Sequence, residues 1–215
     1  AESMILRFAD GDFTTNIVSR GDEFRVNTYA PNSQQTPSMT ALADGGFVVT
    51  WESSGQDGSG LGIYAQRYDA SGVAQGNEFK VNTYTTFDQY HSSVTALSNG
   101  GFVVSWASLQ DGSGLGIYAQ RYDAGGIAQS SEFKVNTYTT IDQYDASITA
   151  LTGGGFVVTW SSTGQDNSGL GIYAQRYDVN GVAQGSEFKV NTYTTIDQYD
   201  SSITTLTNNG GFVVT

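Results

Sequence analysis

Hydrophobic residues recur along the chain in short runs at nearly regular spacing, with polar and glycine-rich segments between them. One run, FVV followed by Ser or Thr, begins at Phe47, Phe102, Phe156 and Phe212. A second run, IYAQRYD, begins at Ile63, Ile117 and Ile172. The phenylalanines of a third motif, EF-x-VNT, are 55, 54 and 55 residues apart at positions 24, 79, 133 and 188. Runs rich in β-branched and aromatic residues predict β-strands, and their long period predicts a repeat architecture.

One complete repeat is predicted to hold four antiparallel strands. They cover residues 38–42, 47–51, 62–69 and 78–83, and the segment ADGG between the first two is a hairpin signal. The second strand is apolar at successive positions, which is typical of a strand buried on both faces. Four such strands in about 54 residues form the blade of a β-propeller, so the chain is predicted to be all-β.

The predicted organisation is a single domain, residues 1–215, with four blades. Three blades cover about 37–83, 92–137 and 146–192, and the fourth combines residues 201–215 with residues 1–28. Pairing of the N- and C-terminal strands would close the ring and remove its sheet edges. A solenoid or another all-β fold, and a fragment of a longer array, are the alternatives.

Composition narrows the possible partners. The formal net charge is −12, which argues against nucleic acid and anionic membrane surfaces as partners because the phosphate backbone requires a Lys/Arg footprint. This charge is compatible with divalent cations or neutral sugars. The chain has no cysteine, and none of its apolar runs reaches the length needed to span a membrane.

The loops that follow the second and fourth strands are predicted to share one face of the ring. The fourth-strand loops combine aromatic, acidic and amide side chains, which suit carbohydrate binding. The predicted ligand-binding residues are Tyr84, Asp88, Gln89, Tyr90, Tyr138, Asp142, Gln143, Tyr144, Tyr193, Asp197, Gln198 and Tyr199. The second-strand loops carry Asp57, Asp111 and Asp166 as candidate Ca²⁺ ligands, because hard cations prefer carboxylate oxygens. The alternative is that each of these aspartates caps the amides of its own turn.

Near-identical copies are a poor way to give two carboxylates the unlike pKa values that acid–base catalysis needs. The single histidine, His91, stands where two other repeats carry Asp145 and Asp200, and it is interpreted as drift. The sequence therefore predicts that the chain is not an enzyme. A glycoside hydrolase-like propeller, with two carboxylates from different blades at its central mouth, is the alternative considered last.

The motifs GGFVV-x-W, QDGSG, GIYAQRYD and EF-x-VNT resemble the repeats of large bacterial surface and secreted proteins that often lie beside hemolysin-type (RTX) calcium-binding regions. This resemblance implies an extracellular or cell-surface module with an adhesive or structural role. We predict a non-enzymatic module that binds a glycan or a surface or matrix component multivalently. The alternative is a self-assembling matrix or fibre unit, for which Ca²⁺ is the candidate stabilising cofactor.

Overall fold

A computed structural model describes residues 5–6, 23–206 and 210–215, and these residues form sixteen β-strands. Three four-stranded antiparallel sheets make up most of the molecule, each following chain order. The first sheet comprises β3 (Gln34–Ala41), β4 (Phe47–Ser54), β5 (Leu61–Tyr68) and β6 (Ala74–Lys80). The second comprises β7 (Gln89–Ala96), β8 (Phe102–Ser108), β9 (Gly116–Tyr122) and β10 (Ala128–Lys134). The third comprises β11 (Gln143–Ala150), β12 (Phe156–Thr163), β13 (Leu170–Tyr177) and β14 (Phe188–Lys189).

Two small sheets flank these three along the chain. Strand β1 (Ile5–Leu6) pairs with β2 (Phe24–Arg25), and β15 (Ile203–Thr205) pairs with β16 (Phe212–Val214). Within the described residues these are two separate two-stranded sheets. The prediction of an all-β chain built from four-stranded antiparallel sheets is confirmed. No helix in the described part of the chain is long and apolar enough to cross a membrane.

The second strand of each large sheet is buried on both faces because neighbouring sheets pack against both of its sides. Strand β8 is buried along its whole length. Trp51, Trp106 and Trp160, at the same position of the three second strands, are 0% exposed. Trp106 packs with residues of the first sheet such as Ile63. The unbroken apolar run in the sequence therefore reflects packing between sheets.

Tyrosine hydroxyls also join each sheet to the one before it. The Tyr122 hydroxyl donates to the carbonyl oxygen of Val81 at 3.3 Å, and the Tyr177 hydroxyl donates to that of Val135 at 3.2 Å. Each tyrosine ring stacks on the first phenylalanine of its own second strand, as Tyr122 does on Phe102 with ring centroids 4.9 Å apart. Because hydroxyl and ring both lie inside, these side chains join sheets as well as fill space.

Strand boundaries differ from the prediction at both sides of the sheet. The first strand begins at Gln34 instead of residue 38, and the fourth covers Ala74–Lys80 instead of 78–83. Residues 70–77 have the composition of a turn, so local propensity favours a connection there. The edge strand nevertheless extends into this segment because its backbone pairs with β5.

Candidate functional site

The first strands of successive sheets lie together, β3 against β7, β7 against β11, and β11 against β15. The three long ones each carry a break in register at the same place, for example between Tyr90 and Ser93 in β7. Bulges of this kind re-aim a side chain that would otherwise follow the strand's alternation. One equivalent residue per repeat has a left-handed backbone: Thr36 (φ 51°), His91 (φ 50°), Asp145 (φ 53°) and Asp200 (φ 57°).

These four residues line one cavity of about 310 Å³, although they are some 54 residues apart along the chain. Serines and small residues beside them complete the wall. A left-handed backbone is uncommon outside glycine and is enriched at functional sites. The centre of the sheet assembly therefore brings an imidazole and two carboxyl groups into one polar cavity.

Asp145 interacts with both of the other ionisable side chains of this central cavity. His91 Nδ1 lies 2.5 Å from Asp145 Oδ1, with 49% and 22% of the respective side chains exposed. Burial raises the pKa of the Asp145 carboxyl above its usual value, the charge of His91 opposes that shift, and a hydrogen bond with Asp200 adds to it. Asp145 thus lies between an imidazole and a second carboxyl group, and its carboxyl binds a proton more readily than that of an exposed aspartate.

The predicted ligand-binding glutamines are part of the scaffold. Gln89 and Gln143 are fully buried, and each accepts a hydrogen bond at 2.9 Å from an asparagine of the VNT motif, Asn82 or Asn136. Gln198 accepts the equivalent bond at 2.8 Å from Asn191. The amide nitrogens of Gln89 and Gln143 donate to carbonyls of their own loops. These amides shape the loop from within.

The aspartates of the same loops tie neighbouring loops together. Asp88, Asp142 and Asp197 each accept a backbone N–H from the leucine at, or just before, the start of the third strand, at 2.7, 2.9 and 2.9 Å. The contact is close enough that a Cβ at Gly60 would lie 1.8 Å from Asp88 Oδ1, so this position requires glycine. The structure thus brings the two kinds of loop together, as expected, through structural hydrogen bonds.

The predicted tyrosines differ in their surroundings. Tyr90 donates to Asp88 Oδ2 at 2.7 Å, and this bond, with burial, raises the pKa of Tyr90 to about 12. Burial also raises the pKa of Tyr144. Tyr84 and Tyr138 are partly buried, whereas Tyr193 and Tyr199 are 59% exposed.

The candidate calcium ligands Asp57, Asp111 and Asp166 each accept an amide of their own turn through Oδ1, at 3.1 Å. Their Oδ2 atoms are enclosed without a hydrogen-bond partner. Lysine Nζ atoms lie 3.8 Å from Oδ2 of Asp111 and Asp166. Calcium binding remains a prediction, and the melting temperature with calcium and with a chelator tests it.

Sequence reasoning missed the three residues of the central cavity. His91 was attributed to drift, and Asp145 and Asp200 served merely as its counterparts. The available signal was variation between the repeats at this one position of the first strand. The repeats read Thr, His, Asp and Asp there, whereas the FVV and IYAQRYD motifs that follow are unchanged.

No family model and no curated protein matches this chain. Solved structures do match. One is the α-L-arabinanase of Penicillium chrysogenum complexed with arabinobiose, with TM-score 0.66 and 12% identity over 99% of this chain and 67% of that one. Another is the GH93 α-L-arabinofuranosidase of Fusarium graminearum with arabinobiose, with TM-score 0.67 and 11% identity over 98% and 66%. The endo-arabinase of Bacteroides thetaiotaomicron has TM-score 0.55 and 14% identity over 97% and 79%.

These neighbours overturn the prediction of a non-enzymatic, multivalent glycan- or surface-binding module. They are named as an α-L-arabinanase, an α-L-arabinofuranosidase and an endo-arabinase, so the comparison contradicts the prediction that the chain is not an enzyme and favours the glycoside hydrolase alternative. The chain spans about two thirds of the length of the first and second of these proteins. At 11–14% identity the likeness establishes the fold, and activity is taken up as a proposal.

Proposed function

We propose that this chain is a glycoside hydrolase whose reaction centre is the central cavity formed by His91, Asp145 and Asp200. The observation that carries the proposal is the meeting of these three side chains, from different repeats, in one cavity of about 310 Å³. Glycoside hydrolysis needs a carboxylic acid that donates a proton and a carboxylate that acts as base or nucleophile. Burial raises the pKa of the Asp145 carboxyl, which suits the acid, and Asp200 supplies the second carboxyl group of the cavity.

We assign a role to each residue. Asp145, whose pKa burial raises, donates a proton to the glycosidic oxygen as the bond between that oxygen and the anomeric carbon breaks. A water molecule bonds to the anomeric carbon in place of the leaving sugar, and the Asp200 carboxylate takes the proton that this water releases. His91, 2.5 Å from Asp145, orients the acid. Asp145 and Asp200 interact directly, so substrate entry must separate their carboxyl groups to the roughly 5–9.5 Å typical of glycosidases.

The expected substrate is a neutral glycan. A net charge of −12 disfavours anionic polysaccharides. Arabinose oligosaccharides are the first probes, because two of the similar structures hold arabinobiose and the folds agree along nearly the whole chain.

Hydrolysis of arabinan oligosaccharides and of aryl α-L-arabinofuranosides tests the proposal. We expect Asp145→Asn and Asp200→Asn each to lower kcat by about 10²–10⁴-fold, the usual share of acid–base catalysis. Asp123→Asn is the matched control, because Asp123 caps the β9–β10 hairpin with Oδ1 and an asparagine retains that acceptor. A wild-type chain that cleaves none of a broad glycoside panel, or an Asp145→Asn variant with full activity, contradicts the proposal.

We also propose that the sheets form a four-bladed ring whose last blade joins the two ends of the described chain. In the first sheet Ala65 pairs with Thr50. Leu6 takes the place of Ala65, because it pairs with the phenylalanine of the EF motif in the same register. Thr215 takes the place of Thr50 in the repeat, so the completed sheet sets Leu6 opposite Thr215.

A disulfide tests this closure, since the chain contains no other cysteine. The variant Leu6→Cys/Thr215→Cys should oxidise within one molecule and migrate faster on a non-reducing gel, and each single variant serves as a control. Oxidation that yields dimers alone would argue for an open array.

A further inference from the structure

Glu52 departs from the repeat at a buried position. It lies near the end of β4, and the residues at the matching positions of β8 and β12 are Ala107 and Ser161. Its side chain is 1% exposed. A buried carboxylate is costly unless hydrogen bonds compensate for its lost water, so its partners indicate why it is tolerated.

The two oxygens of Glu52 bridge two sheets. Oε1 accepts the backbone N–H of His91, on the second sheet, at 2.6 Å, and Oε2 accepts the side-chain N–H of Gln35, on the first sheet, at 2.9 Å. Hydrogen bonds to an ionised carboxylate are shorter and roughly twice as strong as neutral ones. Glu52 therefore holds the main chain of His91 from behind, inside the junction of the two sheets.

Among His91, Asp145 and Asp200, the described residues place a carboxylate of the preceding sheet on the backbone amide of His91 alone. His91, Asp145 and Asp200 share a left-handed backbone, which for a non-glycine residue costs roughly 1–3 kcal/mol and persists when its surroundings enforce it. When the repeats are aligned, Ala107 takes the position of Glu52 relative to Asp145, and Ser161 takes it relative to Asp200. A carboxylate thus fixes the backbone at the one position where the cavity carries an imidazole.

We infer that Glu52 is a positioning residue that holds His91 so that its imidazole stays against Asp145. It acts from the interior and does not touch the reacting groups. The groups that face His91 are Asp145 and Asp200 across the cavity, the Tyr90 ring with its centroid 6.2 Å away, and Glu52 at the backbone. The catalytic meaning of this inference rests on the proposed function, whereas the positioning itself does not.

Nuclear magnetic resonance of the ¹⁵N-labelled chain tests the positioning directly, because His91 is the single histidine. A short bond from an N–H to a carboxylate moves the amide proton far downfield. We expect Glu52→Ala to abolish this shift of the His91 amide and to lose the hydrogen-bonded Nδ1 proton signal. Glu52→Gln keeps an acceptor for the amide and should retain both signals. Ser161→Ala, at the matching position behind Asp200, is the control that should leave both signals unchanged.

Alanine and serine occur at this position in the other repeats, so Glu52→Ala and Glu52→Ser both suit the local packing and give two routes to a folded variant. In the activity assay, misplacement of His91 should lower kcat by about 10- to 100-fold, with Glu52→Gln restoring most of it. A folded Glu52→Ala or Glu52→Ser variant whose His91 signals match the wild type overturns the inference. An inactive wild type with the expected spectral changes overturns the proposed function but leaves Glu52 as a positioning residue.

Discussion

The junction between the first and second sheets and the junction between the second and third share one scaffold but differ at the centre. Both bury a tryptophan completely, Trp106 in one and Trp160 in the other, and both use a tyrosine hydroxyl to join the sheets. The first junction adds Glu52 and His91, where the second has Ala107 and Asp145. The scaffold is thus the same at both junctions. The groups around the cavity differ because Glu52 and His91, which contact each other, depart from the residues of the other repeats.

This difference shows how near-identical repeats can still give their carboxylates unlike environments. Asp145 contacts His91 of the preceding repeat and Asp200 of the following repeat. Its surroundings therefore differ from those of Asp200, although both residues are aspartates at the same repeat position. One altered repeat is sufficient to change the surroundings of a residue in the next one. The asymmetry resides at the contacts between repeats.

The largest expected effect is on the shared scaffold. Trp106→Ala and Trp160→Ala should each lower the free energy of unfolding by about 3–5 kcal/mol, because each leaves a cavity in the same tight packing. Urea unfolding followed by circular dichroism measures both. If the two junctions are equal as scaffolds, the two losses agree to within about 1 kcal/mol. A large gap between them contradicts that equality.

The next effect is expected when the first junction is converted into a copy of the second. Glu52→Ala/His91→Asp places a third aspartate beside Asp145 and Asp200 and removes the imidazole. Like charges in one cavity should lower the free energy of unfolding at neutral pH by about 1–2 kcal/mol and abolish the proposed hydrolysis. The loss of stability should shrink in acid, where the carboxyl groups are protonated. An equal loss at all pH values would instead indicate a packing defect.

The smallest expected effect is the contribution of proton binding by the Asp145 carboxyl to the stability of the fold. Its pKa is raised in the folded state above the ordinary value of 3.8, chiefly by burial. The folded protein therefore binds this proton more tightly than the unfolded chain does. The resulting stability is complete below the unfolded-state pKa and is lost as pH rises through the folded-state value.

Melting temperatures from pH 3 to pH 7 measure this contribution. As pH rises, the melting temperature of Asp145→Asn should increase relative to that of the wild type. The increase should be no more than a few degrees, because the Asp145 side chain is 22% exposed and keeps part of its hydration. Asp123→Asn controls for the general effect of removing a carboxylate. A difference between wild type and Asp145→Asn that is independent of pH would show that Asp145 carries no unusual proton affinity.

Some features of the fold could be read from the sequence because they depend on local chemistry. The β-branched run at Phe47 and the hairpin signal before it locate the second strand and its turn. The predicted start of the fourth strand lies four residues after the observed one, because residues 70–77 have the composition of a turn. Pairing with β5 nevertheless extends the strand back to Ala74. Gln89 and Gln143 illustrate a related point, because both are buried and donate hydrogen bonds to carbonyls of their own loops. An amide that hydrogen-bonds inside a loop has the same sequence signature as one that faces a ligand.

The sequence by itself determined the all-β class, the period and the apolar second strands, since strand propensity and turn chemistry act over a few residues. Only the tertiary structure decided which side chains share the central cavity. That choice depends on the packing of first strands from successive sheets and on bulges that turn one residue per repeat inward. His91, Asp145 and Asp200 are some 54 residues apart, and no local pattern encodes that they meet.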